Sequence, residues 1–480
     1  MKKYMIACLM AGVMTVFNSC SKNPVTGKRE VSFVSEEQEI AMGQQADPEI
    51  VAHFGLYEDP TLQRFIEAKG QKMAAISHRS NLNYSFKIVD SPVINAFAVP
   101  GGYVYFTRGI MAYFNNEAEF AGVLGHEIGH ITARHSVQQQ SKAMLAQLGL
   151  IVGMVVSPEF AQFADIAQQG VGILFLKFGR EAERESDRLG VEYSTKIGYD
   201  AQEMAEFFLT LQRTSAEAGA QPVPTFLSTH PSPEDRLVRV TELAEEWKQK
   251  LGLVTPEVGR NSYLKMIDGM IFGEDPKQGF HENNIFYHPV LKFKFQTPVN
   301  WAFQNTPQQV SMADKDGKAM MTLTLVPGAN LQEAAQQVMQ KYKLEPVESK
   351  DVTVNGLPAL AVIADQQQQQ GTIRTMTYLI QYGGNIYSMM GITSAARFNE
   401  YANLFLNVMQ SFSTLTDPEK LNRKPERIQI KPVKQTTTLA RALQSYNVSN
   451  ERLEEMAILN GMNLQDRVEQ GMLIKVVVRG

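Results

Sequence analysis

Residues 123–132 read Val-Leu-Gly-His-Glu-Ile-Gly-His-Ile-Thr, and three of them, His126, Glu127 and His130, decide what fold to expect. A capping signal, Asn116-Glu117-Ala118-Glu119, places the stretch on a helix. At about 100° per residue the two imidazoles lie about 40° apart around the axis and one turn apart along it. Both reach one ion. Glu127 falls about 60° to one side of His130, close enough to hold a water on that ion without having to ligate it. This is the spacing of a metal site with two histidine ligands and a carboxylate base. Glycine costs roughly 1 kcal/mol in a helix interior, so Gly125 and Gly129 suggest close approach by another element. The plain alternative is a solvated helix face with two incidental histidines.

Zinc needs a third protein ligand and a fourth position open to water. Glu181-Ala182-Glu183-Arg184-Glu185-Ser186-Asp187 offers candidates. Glu183 and Asp187 are four apart and share a helix face. One can bind the metal while the other accepts a hydrogen bond from a ligand imidazole. By spacing alone Glu181 and Glu185 form an equally good pair, and a solvated acidic helix also fits.

The His126 motif, residues 95–102 (Asn-Ala-Phe-Ala-Val-Pro-Gly-Gly) and residues 180–190 together resemble the HtpX-like and CAAX-prenyl-endopeptidase family of zinc metallopeptidases. The resemblance covers about residues 35–279. It implies a mainly helical zincin-type domain with a small sheet, Zn2+ as cofactor, and Glu127 as the general base. It also maps the third ligand onto Glu183, beside His126 and His130, and the supporting aspartate onto Asp187. A similar His-Pro-x-Pro element in the family implies that His230 approaches the metal, donating to the oxyanion or filling the open position. The plain reading of Thr229-His230-Pro231-Ser232-Pro233 is a helix start with Ser232 as cap. If residues 95–99 form an edge strand, an extended substrate could add to it. His135 reads as a helix-end residue, and His53, His78, His281 and His288 as surface or packing residues.

The 480 residues carry a net charge of -4, which argues against nucleic acid as a partner. Residues 1–19 have the basic start and apolar run of a signal peptide, and Cys20 follows where a lipoprotein is cleaved and lipidated. Cys8 lies within that signal, so Cys20 would be the sole cysteine of the mature chain. The expected membrane link is therefore a lipid anchor at Cys20, because the apolar run at 148–156 is far short of the roughly 20 residues a span needs. The lack of transmembrane helices resembles the family's soluble periplasmic branch, associated with outer-membrane protein quality control. Whether the apolar residues 141–178 form a lid is open.

The expected order is a peptidase domain at 20–275, an α+β sandwich at 280–415, a linker at 416–435 and a small module at 436–480. In the second region Asn355-Gly356 and Gly383-Gly384 are hairpin turns, and the glutamines at 366–370 are expected to form a loop. Phe295-Gln296-Thr297-Pro298-Val299-Asn300-Trp301 resembles PsbP-like domains. The polar, Pro-punctuated, basic composition of 416–435 suggests the linker. Leu459-Asn460-Gly461-Met462 and the 471–476 stretch are similar to LysM modules, which implies peptidoglycan as a partner. The whole chain thus reads as a zinc endopeptidase acting on polypeptides of the cell envelope, at the periplasmic side of the outer membrane. The competing reading is an envelope chaperone or peptidoglycan-binding adaptor with a mainly structural zinc site.

Overall fold

Ser35 starts the first long helix, Glu36–Phe54, by a reciprocal cap in which its hydroxyl accepts the Gln38 amide and the Gln38 side chain accepts the Ser35 amide. Asp59 accepts two amides and Pro60 fills the first turn of the next helix, Pro60–Ala74. Between and beyond them lies a three-stranded sheet. Its central strand is Tyr103–Thr107, with Ser85–Val89 parallel on one side and Ala96–Val99 antiparallel on the other. Ala96–Val99 is thus an edge strand.

Coordinates come from a computed structural model that describes residues 20–139, 178–217, 225–230, 235–368 and 371–479. The signal-peptide expectation, the question of a lid over 141–178 (except residue 178 itself), the Ser232 cap and the end of the glutamine tract lie outside the described residues. Among the described residues no helix is long and apolar enough to cross a membrane.

The motif helix, Glu117–Thr132, is capped by Asn116, and all its residues are buried. The acidic helix, Arg180–Lys196, crosses it at the glycines. A Cβ on Gly125 would stand 2.9 Å from the Cα of Gly190, and one on Gly129 would stand 3.2 Å from the Cα of Ser186. Here the glycines buy proximity. Helices Glu203–Glu217 and Arg236–Leu251 pack beside this pair.

A separate sheet-rich region follows. Its seven-stranded antiparallel sheet runs, edge to edge, through Ala302–Asn305, Gln309–Ala313, Ala319–Val326, Asn385–Ser394, Gly371–Tyr382, Leu357–Gln368 and Glu345–Val354. Helices Leu331–Tyr342 and Phe398–Gln410 pack on it through two apolar clusters of its own. Asn355 and Gly356 both adopt positive φ between paired strands, as a two-residue hairpin requires. The described glutamines of the tract, Gln366 to Gln368, extend a strand instead of forming a loop, because they continue the register with Gly371–Tyr382.

The stretch 416–435 is not a linker. It contains the short helix Pro418–Leu421 and the strand Glu426–Pro432. That strand pairs antiparallel with Leu473–Arg479 on one side and with Ile271–Phe272 on the other. The polar composition of that strand concealed one fully buried side chain, Ile428, which joins the core around the motif helix. The C-terminal module has the order strand, two helices, two strands, and its Leu443, Leu459 and Val476 share an apolar cluster with Leu124 and Ile128 of the motif helix. It is a continuation of the core around the motif helix, not a self-contained appendage.

Candidate metal centre

Three elements converge on one point. The motif helix presents His126 and His130, whose Nε2 atoms lie 3.0 Å apart. The acidic helix brings Glu183 to 3.5 Å from His126 Nε2 and 3.6 Å from His130 Nε2. Zinc bonds of roughly 2.0–2.2 Å set tetrahedral edges of about 3.4 Å, so these three separations suit one ion. His230 follows the short helix Thr225–Thr229, and its Nδ1 lies 3.0 Å from Glu183 and 3.3 Å from His126 Nε2. Ligand atoms of all four residues lie within 4.8 Å of one another, and all four are buried.

The carboxylates also fit a bound cation. Both oxygens of Glu127 and Oε2 of Glu183 are buried with no hydrogen-bond partner. Such groups are rarely left unpaired without a catalytic role or an ion to satisfy them. Two imidazoles and a carboxylate form a donor set that zinc accepts.

Charge around the site follows from burial and neighbours. Burial raises the Glu127 carboxyl, and His230 and His126 only partly oppose it. Burial also works to raise Glu183, but His230, His126 and Arg236 outweigh it and hold the carboxyl below its ordinary value. Burial, followed by the neighbouring histidines, pushes His130 well below the ordinary histidine range.

Asp187 lies one turn beyond Glu183 and sits 2.9 Å from His126 Nδ1. Arg236 donates to Asp187 at 2.6 Å, and its guanidinium lies over the Phe208 ring at 3.8 Å. Nothing in the sequence marks this arginine as buried, since a lone Arg at a helix start looks solvated. His135 is not the helix-end residue expected: it lies beyond the end of the motif helix and is buried, with its Nδ1 2.9 Å from His130 Nδ1 and its Nε2 3.2 Å from Glu185. The alternative pair of acids separates: Glu185 meets His135, while Glu181 meets Arg184 at the surface. Phe178 stacks on His130 and Phe226 on His230, walling the site with apolar rings.

Residues 60–244 match the model of Peptidase family M48. This region carries the whole donor set, a buried cluster able to bind a metal ion. The Beta-barrel assembly-enhancing protease of Yersinia pestis is 32% identical over 47% of this chain and 48% of its own length. The protein of that name in Escherichia coli is 30% identical over 52% of this chain and 53% of its own. The mitochondrial metalloendopeptidase OMA1 of Arabidopsis thaliana is 29% identical over 37% of this chain and 35% of its own. The chain thus spans about half the length, or less, of these relatives. Among solved structures, cyanobacterial PsbP from Synechocystis has a TM-score of 0.24 at 11% identity, over 27% of this chain and 91% of that one. That likeness is too slight to support the PsbP-like reading of 280–415.

Proposed function

We propose that this chain is a zinc-dependent endopeptidase that cleaves misfolded or stalled polypeptides of the cell envelope. One observation carries the proposal: two imidazoles and a carboxylate at tetrahedral spacing, with a second carboxylate, Glu127, beside them that accepts no hydrogen bond. Zinc held there would supply a water acidified to a pKa of roughly 7 and a Lewis acid for the scissile carbonyl. Glu127 accepts the proton of the attacking water and passes it to the departing amine. Its raised proton affinity suits both halves of that task. Asp187, itself held by Arg236, accepts from His126 Nδ1 and fixes the ring with Nε2 toward the metal. His230 reaches the fourth corner of the donor set, where it can complete the coordination or donate to the oxyanion. The edge strand Ala96–Val99 offers a ladder to an extended peptide.

The envelope setting draws support from the relatives named for β-barrel assembly. Cys20 would anchor the chain by lipid at the periplasmic side of the outer membrane. Peptidoglycan as a partner rests on the LysM-like sequence alone, and the face of that module bearing Lys475 is used in packing on the peptidase.

Metal analysis of the purified chain, paired with casein digestion with and without chelator, tests the proposal. Glu127→Gln should lower cleavage by about 10²–10⁴-fold while retaining zinc. Wild-type cleavage by this variant, or a purified chain that binds no zinc, would overturn the enzymatic reading.

A further inference from the structure

The two ligand histidines are supported differently. His126 Nδ1 meets a carboxylate directly, whereas His130 Nδ1 meets the imidazole of His135 at 2.9 Å. If His130 binds metal through Nε2, its Nδ1 carries the proton and donates it. His135 Nδ1 must then accept, which leaves the His135 proton on Nε2, aimed at Glu185 Oε2 at 3.2 Å. One set of tautomers satisfies the whole chain. Ser186 Oγ, 3.3 Å from His135 Nδ1, closes the pocket from the acidic helix.

The backbone is shaped to bring this about. On a continuing helix His135 would lie about 140° around the axis from His130 and could not reach it. The motif helix ends at Thr132 instead, and Arg134 adopts φ 58°, a conformation that residues with a Cβ avoid. Arg134 is held there by Glu39 at 2.8 Å and by the Val34 carbonyl at 3.1 Å. Strain held in place just after a metal ligand suggests a purpose for the residue it delivers.

We infer that His135 is a positioning residue for zinc, a relay through which Glu185 orients His130 and strengthens it as a ligand. This rests on the zinc reading of the site. It adds a support for the metal that the HExxH spacing does not contain, and it assigns Glu185 a role distinct from those of Glu183 and Asp187.

The test measures zinc affinity of the full chain by competition with a chelating dye, for the wild type and for His135→Phe, His135→Asn and Glu185→Ala. Asparagine places an acceptor oxygen near the position of Nδ1, whereas phenylalanine keeps the ring shape and removes the acceptor. His135→Phe should weaken zinc binding by about 10–100-fold, with His135→Asn recovering most of the loss. Glu185→Ala, at a half-buried position that tolerates truncation, should weaken it by several fold. Unchanged affinity in His135→Phe or Glu185→Ala, or an equal loss in His135→Asn and His135→Phe, overturns the relay. If His135→Phe does not fold, the asparagine and Glu185 variants still decide. A wild-type chain that binds no zinc fails at the site itself, a result separate from these.

Discussion

Glu119 shows what a single buried carboxyl does to stability. It sits in the first turn of the motif helix and accepts the Asn115 amide at 2.7 Å. Burial raises its pKa to about 8, against the opposing pull of the Asn115 amide, Lys475 and Arg260, while Glu203 adds to the rise. Unfolded, the same group ionises near pH 4.3. Between those values the folded chain binds more protons than the unfolded one. This contribution is therefore full below about pH 4.3 and is lost as pH rises toward 8. Urea midpoints of wild type measured from pH 5 to pH 8 should fall relative to those of Glu119→Gln, which stays neutral. Parallel pH profiles would refute this. At the same scale, the reach of His126 and His130 to one point was legible because helical spacing alone determines it. Arg236 and His135 were not, because their positions depend on a loop and on a left-handed residue that spacing cannot foresee.

Among the elements, the crossing of the motif and acidic helices determines where Glu183 stands. Gly125 and Gly129 revealed in sequence that some element comes close. They could not say which one, since its partner Gly190 lies some sixty residues on and carries no signal of its own. Gly125→Ala would put a methyl group 2.9 Å from the Cα and carbonyl oxygen of Gly190. No flexible side chain stands there to yield, so the helices must part. The expected cost is about 1–3 kcal/mol in stability, with a loss of zinc affinity as Glu183 withdraws. Gly179→Ala, where an added Cβ meets nothing within 4 Å and φ is -78°, is the control and should stay within about 0.5 kcal/mol. Equal behaviour of the two variants in thermal melts and zinc competition would refute the packing argument. The strand Glu426–Pro432 escaped notice for the opposite reason. Its composition is that of a linker, and only tertiary pairing on both edges makes it a strand.

For the molecule as a whole, the C-terminal module and the peptidase region share one apolar core. Lys475 is fully buried and donates to the carbonyls of Ala112 and Phe114, just before the motif helix, and of Leu459 in its own module. Three acceptors match the three donors of an ammonium group, an arrangement that pins the last strand beneath the entry to the motif helix. Arg213 adds a bond to the Met462 carbonyl and an ion pair with Glu454. The sheet-rich region, in contrast, buries its apolar residues in clusters of its own. Calorimetry should therefore resolve two transitions, one for peptidase plus module and one for the sheet-rich region. Lys475→Met strands three buried carbonyls at roughly 1–3 kcal/mol each, so it should lower the first transition and leave the second in place. A module that melts separately from the peptidase, or a Lys475→Met variant with an unshifted first transition, would show that the shared core does not couple them. If the coupling holds, ending the chain at residue 435 removes the partner strand of Glu426–Pro432 and should abolish folding of the peptidase, zinc binding included.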